Sequence, residues 1–584
     1  MININRSVSR LGRDVGLSSI RLNRRKAAQL SGKRFKSSSS GNQSAQNSVV
    51  SGTPFKYLLG AGAIFACGIY GGSLYSATKT ASPQDHVAAS FVDKSTSPIE
   101  DLTAPKYADA ATLKIAFAEI IKIVGEDSST TTDSELDTHS DSFFNTHHAK
   151  EGERPGLVVM PNSTEQVSQI VKVAHKYRVP ITPYSGGTSL EGHYTPTQGG
   201  ISMDFRNMSE IVALHKDDLD VVVQPGIGWQ DLNEILKDDG LFFPPDPGPG
   251  AQIGGMIGTS CSGTNAARYG TIRENVVSLT VVLADGTIVK TKKRPRKSSA
   301  GYNLTQLFIG SEGTLGIVTE ATLKLSILPK NETVAVVPFK TIDAAAQVAQ
   351  EVIQSGVVVG AIELLDDEMM KCINAAGQTS RTWSENPTIF FKFAGTPNGV
   401  RDTIEQVKHI SAKHESISFD FAANEEELEE LWSARKYALW STFDVAPPGF
   451  HAWTTDAAVP ISQLSKIVSE TKKDIVDNGL FGTIVGHVGD GNFHAIIMFD
   501  PKTQHGITQD IVHRMIERAL KADGTCTGEH GVGLGKRTFL MDEVGQTGID
   551  TIRHLKVSFD PLGILNPGKV VNINPADDIT VEQN

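Results

Sequence analysis

The sequence predicts an α+β protein of several domains carried behind a single N-terminal transmembrane helix. Three observations predict it. Apolar runs of strand length alternate with amphipathic helical segments in two blocks, from about residue 107 and from about 332; three long glycine loops punctuate the first block; and an uncharged 19-residue run precedes both. At 584 residues and 39% hydrophobic, the chain can bury several cores, roughly three or four domains' worth.

The first 54 residues hold ten Lys/Arg, from Arg6 to Lys36, against the single acid Asp14. A net charge of −11 therefore divides into a +9 leader and a −20 remainder. Basic, Ser-rich and acid-poor composition is that of a mitochondrial transit peptide, which takes no part in the fold. "YLLGAGAIFACGIYGGSLY" (57–75) carries no charge, is flanked by Lys56 and Lys79, and has about the length that crosses a bilayer. Its glycines would weaken a core helix in water and are better tolerated in a membrane span. We therefore expect an anchor at 55–76 in inner-membrane lipid, the body in the intermembrane space, and a polar, proline-dotted linker at 77–105. The four cysteines, Cys67, Cys261, Cys372 and Cys526, have no C-x-x-C spacing, which argues against a disulfide scaffold, a self-contained iron–sulfur cluster and covalent haem.

Folded structure is expected from the helical pattern at 107–124. A Ser/Thr/Asp-rich loop (126–142) follows, then a strand at "RPGLVVMP". The next helix is bounded by a Ser163/Gln166 capping box and by Pro180. "DVVVQPGIGW" and "SLTVVLADGTIV" read as strands, with Asp285-Gly286 as a hairpin turn. From 332, strands at "TVAVVPFK", "VVVGAIELL", "TIFFKFAG" and "SISFDFA" are separated by helices, the last leading into "LWSARKYALW". That order predicts a second, mostly antiparallel α+β domain. The basic run "KTKKRPRK" (290–297) reads as a solvated loop in an acidic body, and no nucleic-acid partner is expected.

The segments "PYSGGTSLEG" (183–192), "PPDPGPGAQIGGMIGTSCSGTNAARYG" (244–270) and "GSEGTLGIVTE" (310–320) can turn backbone N–H groups toward phosphate oxygens without side-chain obstruction. Neither G-x-G-x-x-G nor the Walker pattern fits: Ile253 stands where the third glycine belongs, and Arg537 where Ser or Thr should follow Gly535-Lys536. Near the C-terminus, "HVGDGNFH" carries Asp490-Gly491 as a two-residue type I′ turn, which would set His487 directly opposite His494. Alone, that pair reads as readily as two imidazoles on a solvated sheet face. "TCTGEHGVGLGK" adds Glu529 and His530 among four glycines, and His487, His494 and Glu529 form the two-histidine, one-carboxylate set that leaves a catalytic zinc with an open position. Other divalent ions, manganese among them, are permitted.

The three glycine loops resemble the FAD-binding segments of the vanillyl-alcohol-oxidase (PCMH-type) superfamily, and the second half resembles its FAD-linked oxidase C-terminal domain, over about 150–570. The resemblance implies a PCMH-type FAD-binding domain of two α/β subdomains (106–330), an antiparallel-sheet α+β cap domain for substrate and metal (331–560), and a tail returning to the flavin (561–584). It assigns Ser185, Gly186, Gly187, Thr188 and Ser189 to the FAD pyrophosphate, and Gly254, Gly255, Ser260, Gly263, Glu312, Gly316 and Ile317 to the flavin and adenine ends. Thr188 stands where members with covalent FAD often have histidine, so non-covalent FAD is expected.

"GHVGDGNFH" and "TGEHGVG" are similar to the FAD- and metal-dependent D-2-hydroxyacid dehydrogenases. That likeness implies His487, His494 and Glu529 as metal ligands, His530 as base, Arg435 as carboxylate binder and Asn566 as a tail residue over the flavin. Without it, Arg435 reads equally as an exposed helix charge. Relatives that take D-2-hydroxyglutarate have a lysine and an asparagine where this chain has Thr454 and Ile496, so a small monocarboxylate such as D-lactate fits better. The acidic body favours a basic electron acceptor, cytochrome c. A D-2-hydroxyglutarate dehydrogenase and a non-redox FAD transferase of the alkyl-dihydroxyacetone-phosphate synthase type are the alternatives.

Overall fold

The computed structural model describes residue 99 and residues 102–578. The leader, the 57–75 segment, most of the linker and the last six residues lie outside them. Among the described residues no helix is long and apolar enough to cross a membrane.

The first sheet has four strands in the order Ser129–Thr130, Leu157–Val159, Ile201–Asp204, Ile181–Tyr184, and the last three run parallel. Its apolar residues pack under the helices Ala110–Val124 and Thr164–Tyr177. Ser163 caps the second helix through Gln166 N, but Gln166 Oε1 accepts from Asn162 N rather than from the cap residue, so the capping box is only half formed. The helix ends with Arg178 in the left-handed region, two residues before Pro180. The expected loop at 126–142 instead contains a short strand and the helix Asp133–Thr138. Ser129 and Thr130 pair with Val159 and Val158, and Leu136 is buried. Local propensity had hidden both elements, because tertiary pairing fixes them.

A second sheet of five antiparallel strands follows, in the order Ile211–His215, Asp220–Val223, Ile317–Lys324, Val276–Val282, Ile288–Lys290. The Asp285-Gly286 turn joins its last two strands as expected. In the basic run, Arg294 is tied to Asp218 and Asp220.

The second half builds one eight-stranded sheet, antiparallel at every pairing. Strand Glu332–Pro338 shows why helices cover both faces. Ala335 and Val337 join the core under Ile342–Gln354 and Leu464–Asp477, while Val334 and Val336 join the core under Asp367–Ala376 and Glu425–Val445. Successive side chains of a strand point to opposite faces, so an unbroken apolar run requires two covers.

One expectation is corrected. His487 does not lie opposite His494. Strand Phe481–Gly486 pairs with Asn492–Phe499 in a register that sets Val485 against His494, and residues 488–490 form a short 3-10 turn that Gly491 leaves at φ 75°. The connection is a longer loop closed by a left-handed glycine, not a two-residue type I′ turn. A Cβ on Gly491 would lie 2.2 Å from the Val459 carbonyl oxygen. Gly491→Ala should therefore lower folding stability by about 1–3 kcal/mol, read as a fall in the urea midpoint. An unchanged midpoint would count against this description of the turn.

Candidate metal and flavin site

His487 directly follows strand Phe481–Gly486, and His494 sits inside strand Asn492–Phe499. Their rings lie 5.7 Å apart at nearly a right angle. Glu529, from the glycine-rich loop after helix His505–Lys521, places Oε1 3.1 Å from His487 Nε2 and 3.1 Å from His494 Nε2. The three ligand atoms fall within 4.8 Å of one another.

Both ring orientations are set from behind. His487 Nδ1 donates to Glu363 Oε1 at 2.9 Å, and His494 Nδ1 donates to the Thr455 carbonyl at 3.0 Å. Since a carboxylate and a carbonyl can only accept, each imidazole carries a proton on Nδ1, which leaves Nε2 as the nitrogen that would ligate a cation in place of a proton. That donor chemistry fits a divalent cation: two imidazole nitrogens, one carboxylate and a supporting acceptor behind each ring. Burial opposes ionisation of Glu529, but the two imidazoles outweigh it and hold its carboxyl well below the ordinary range.

Asp456 holds the loop in place. Its buried Oδ2 accepts from the backbone N–H of Glu529 and His530, each at 2.9 Å, and from Thr527 Oγ1 at 2.8 Å. His530 stacks on His494, with ring centroids 4.9 Å apart and planes 12° apart. Burial pushes the His530 imidazole down to about 3, although Asp456 opposes the shift, so the ring is uncharged at neutral pH. Its Nδ1 is buried without a hydrogen-bond partner. Arg435, on the inner side of helix Glu425–Val445, donates Nε to Glu363 Oε2 at 2.8 Å. Glu363 thus ties Arg435 to His487.

The glycine loops meet where side chains have no room. A Cβ on Gly186 would lie 2.5 Å from the Gly250 carbonyl oxygen, one on Gly254 2.7 Å from Pro225 Cβ, and one on Gly316 2.5 Å from Val281 Cγ1. Gly187 and Gly263 have φ of 65° and 139°. Ser185 Oγ donates to Gln252 Oε1 and so links the first two loops, with Thr188 and Ser189 following on the same turn. Gly255 sits against Ser185, and Ser260, in the left-handed region, accepts from Arg273 Nε. Ile317 is buried and opens the central strand of the second sheet. Such bare, turned backbone fits a phosphate-bearing cofactor.

Glu312 is buried, and both of its oxygens are engaged, accepting from Val532 N at 2.6 Å and Gly533 N at 2.8 Å. A residue of the third glycine loop therefore grips the loop of Glu529 and His530. Asn566 joins them from the tail, where Nδ2 donates to the carbonyls of Glu312 and His193.

Residues 155–292 match the FAD binding domain family, and residues 328–570 match the C-terminal domain of FAD-linked oxidases. The mitochondrial D-lactate dehydrogenase [cytochrome] of Kluyveromyces lactis is 50% identical, over 84% of this chain and 86% of its own length. D-lactate dehydrogenase [cytochrome] 1, mitochondrial, of Saccharomyces cerevisiae is also 50% identical, over 82% and 84%. The chain belongs to the FAD-linked oxidase family. A solved 4-ethylphenol oxidase from Gulosibacter chungangensis shares the fold of this FAD-linked oxidase at TM-score 0.67 and 18% identity, over 81% of this chain and all of that one.

Glu363 and Asp456 are the supporting residues that the sequence reading did not single out for the site. Glu363 did leave a signal: it is the one charge in the buried strand Ala361–Leu365, and a carboxylate there is costly unless paired. Glu363→Gln keeps the shape but removes the charge shared by Arg435 and His487. Metal affinity should fall by about 10- to 100-fold with FAD content unchanged, read as metal retained during graded chelation. Unchanged retention would leave Glu363 without this role.

Proposed function

We propose that this FAD-linked oxidase is mitochondrial and oxidises D-lactate to pyruvate, with His487, His494 and Glu529 as metal ligands, His530 as base and Arg435 as carboxylate binder. The observation that carries the reading is the convergence of a two-histidine, one-carboxylate set with an uncharged imidazole whose Nδ1 is unpartnered. The half-identity to mitochondrial D-lactate dehydrogenases supports the substrate and the compartment.

When bound, FAD at the glycine loops supplies the acceptor for two electrons and the C2 hydrogen, and a divalent ion, zinc or manganese, supplies Lewis acidity at the hydroxyl. The chain's residues do the rest. His530 has an unpartnered Nδ1, the nitrogen that takes the hydroxyl proton. Arg435 has Nε committed to Glu363, which leaves its Nη donors for the substrate carboxylate. The stacked His494 ring and the Asp456 grip keep His530 from turning away.

Substrate size follows from two paired residues. Thr454 and Ile496 are direct partners on adjacent strands, and Ile496 is buried. Where hydroxyglutarate relatives have a cation and an amide, this wall offers neither, so a second carboxylate would be desolvated without a partner. Electrons leave to cytochrome c, and the body is held at the inner membrane by the 57–75 segment, facing the intermembrane space.

D-lactate should bleach the flavin absorbance anaerobically, and chelator should abolish the bleaching. Its kcat/KM should exceed that of D-2-hydroxyglutarate by at least about 100-fold. His487→Ala or His494→Ala should lose metal and activity while FAD stays bound. Loss of FAD with metal retained would refute the assignment, and no bleaching by any 2-hydroxy acid would refute the activity.

A further inference from the structure

The surface carries an aromatic cluster that the site does not use. Phe143 and Phe144, on the segment after helix Asp133–Thr138, meet Trp440 and Phe443 of helix Glu425–Val445. Four ring pairs across this contact and within it have centroids 5.4 to 5.9 Å apart. The rings are not a core: Phe143 is 61% exposed and Trp440 42%, with Tyr437 and Val445 exposed beside them. Contiguous exposed aromatics mark interaction surfaces, whereas scattered exposed residues do not.

The position of the cluster says what it could serve. Phe143 and Phe144 belong to a segment bound on both sides to the first glycine loop and its continuation: Thr146 N donates to the Leu190 carbonyl, Thr146 Oγ1 to Glu191, and Thr195 Oγ1 to the Ser140 carbonyl. Trp440 and Tyr437 share a helix with Arg435, which faces the candidate site. The patch therefore lies across the seam between the glycine-loop domain and the cap. Charge identifies the visitor. Helix Glu425–Val445 carries six acids, five of them within its first six residues, against Arg435 and Lys436, for a net −4. Glu425, Glu426 and Glu429 are exposed. An acidic border beside an apolar centre complements a basic protein, whereas an anionic lipid surface would be repelled.

We propose that this aromatic face is the docking surface for a basic, cytochrome-type electron carrier, with the exposed glutamates steering its approach. The inference rests on the acceptor reading above. Oxidation of one D-lactate to pyruvate releases two electrons and two protons. Two ferric haems are reduced to ferrous in successive encounters at this face, and the protons go to solvent.

The test compares cytochrome c with a small dye acceptor, using the full-length enzyme and D-lactate. Phe144→Ala combined with Trp440→Ala should raise the KM for ferricytochrome c by about ten-fold or more, while dye reduction stays within about two-fold of wild type. Glu425→Lys, Glu426→Lys and Glu429→Lys together replace exposed side chains and should lower cytochrome kcat/KM and flatten its dependence on salt. Wild-type cytochrome kinetics in both variants would overturn the proposal. So would variants that change only partition into the membrane fraction, which would assign the face to lipid or to the chain's own apolar segment. A wild type that reduces dye but not cytochrome c would overturn the acceptor reading and this surface with it, leaving D-lactate oxidation standing. Failure with both acceptors would reach the D-lactate reading itself.

Discussion

The carboxylate of Glu529, held 3.1 Å from two imidazole nitrogens, is the contact around which the cap domain is organised. Glutamate on a glycine-rich loop would not stay in that place unaided. Asp456 removes the freedom by accepting two consecutive backbone N–H groups of the loop. Burial disfavours ionised Asp456, yet Lys536 and the backbone N–H of His530 hold its carboxyl well below the usual range. Breaking such a buried network by removing one member costs about 3–5 kcal/mol, because a charge is left without its partner.

The same loop is held from the other domain. Glu312 accepts from Val532 and Gly533, the Glu191 carbonyl accepts from Leu534, and Lys536 lies between Glu191 and Asp456. Lys536 is buried, so its charge is tolerable only because both acids face it. These contacts set the glycine loops and the candidate metal ligands in one frame. The tail closes it: Leu565 bridges Ile181 in parallel, and Asn566 reaches the carbonyls of His193 and Glu312.

Much of this was legible in the sequence, and what was missed has identifiable causes. The alternation from 332 onward predicted the antiparallel sheet because unbroken apolar runs and helical segments follow one another there with clear periods. The grouping of His487, His494 and Glu529 was likewise predicted, yet by a register that does not occur. Asp-Gly suits a two-residue turn, but it equally ends a longer loop with glycine in the left-handed region. The neighbouring short strand Ala457–Ala458, paired with Phe493 and Asn492, chooses between them, with Val459 just after it donating its N–H to the Gly491 carbonyl. Glu363 was missed because its partners lie 72 and 124 residues away. The segment 126–142 was misread because Ser, Thr and Asp favour loops locally, whereas here pairing with strand Leu157–Val159 decides.

The central claim is that His487, His494 and Glu529 together hold one divalent ion. Anomalous diffraction from crystals of the holoenzyme, collected on both sides of the zinc edge and again at the manganese edge, tests it most directly. The account predicts a single peak about 2.0–2.2 Å from His487 Nε2, His494 Nε2 and a Glu529 carboxylate oxygen. A fully active crystal with no anomalous peak there, and with Glu529 still bonded directly to both imidazoles, would contradict it.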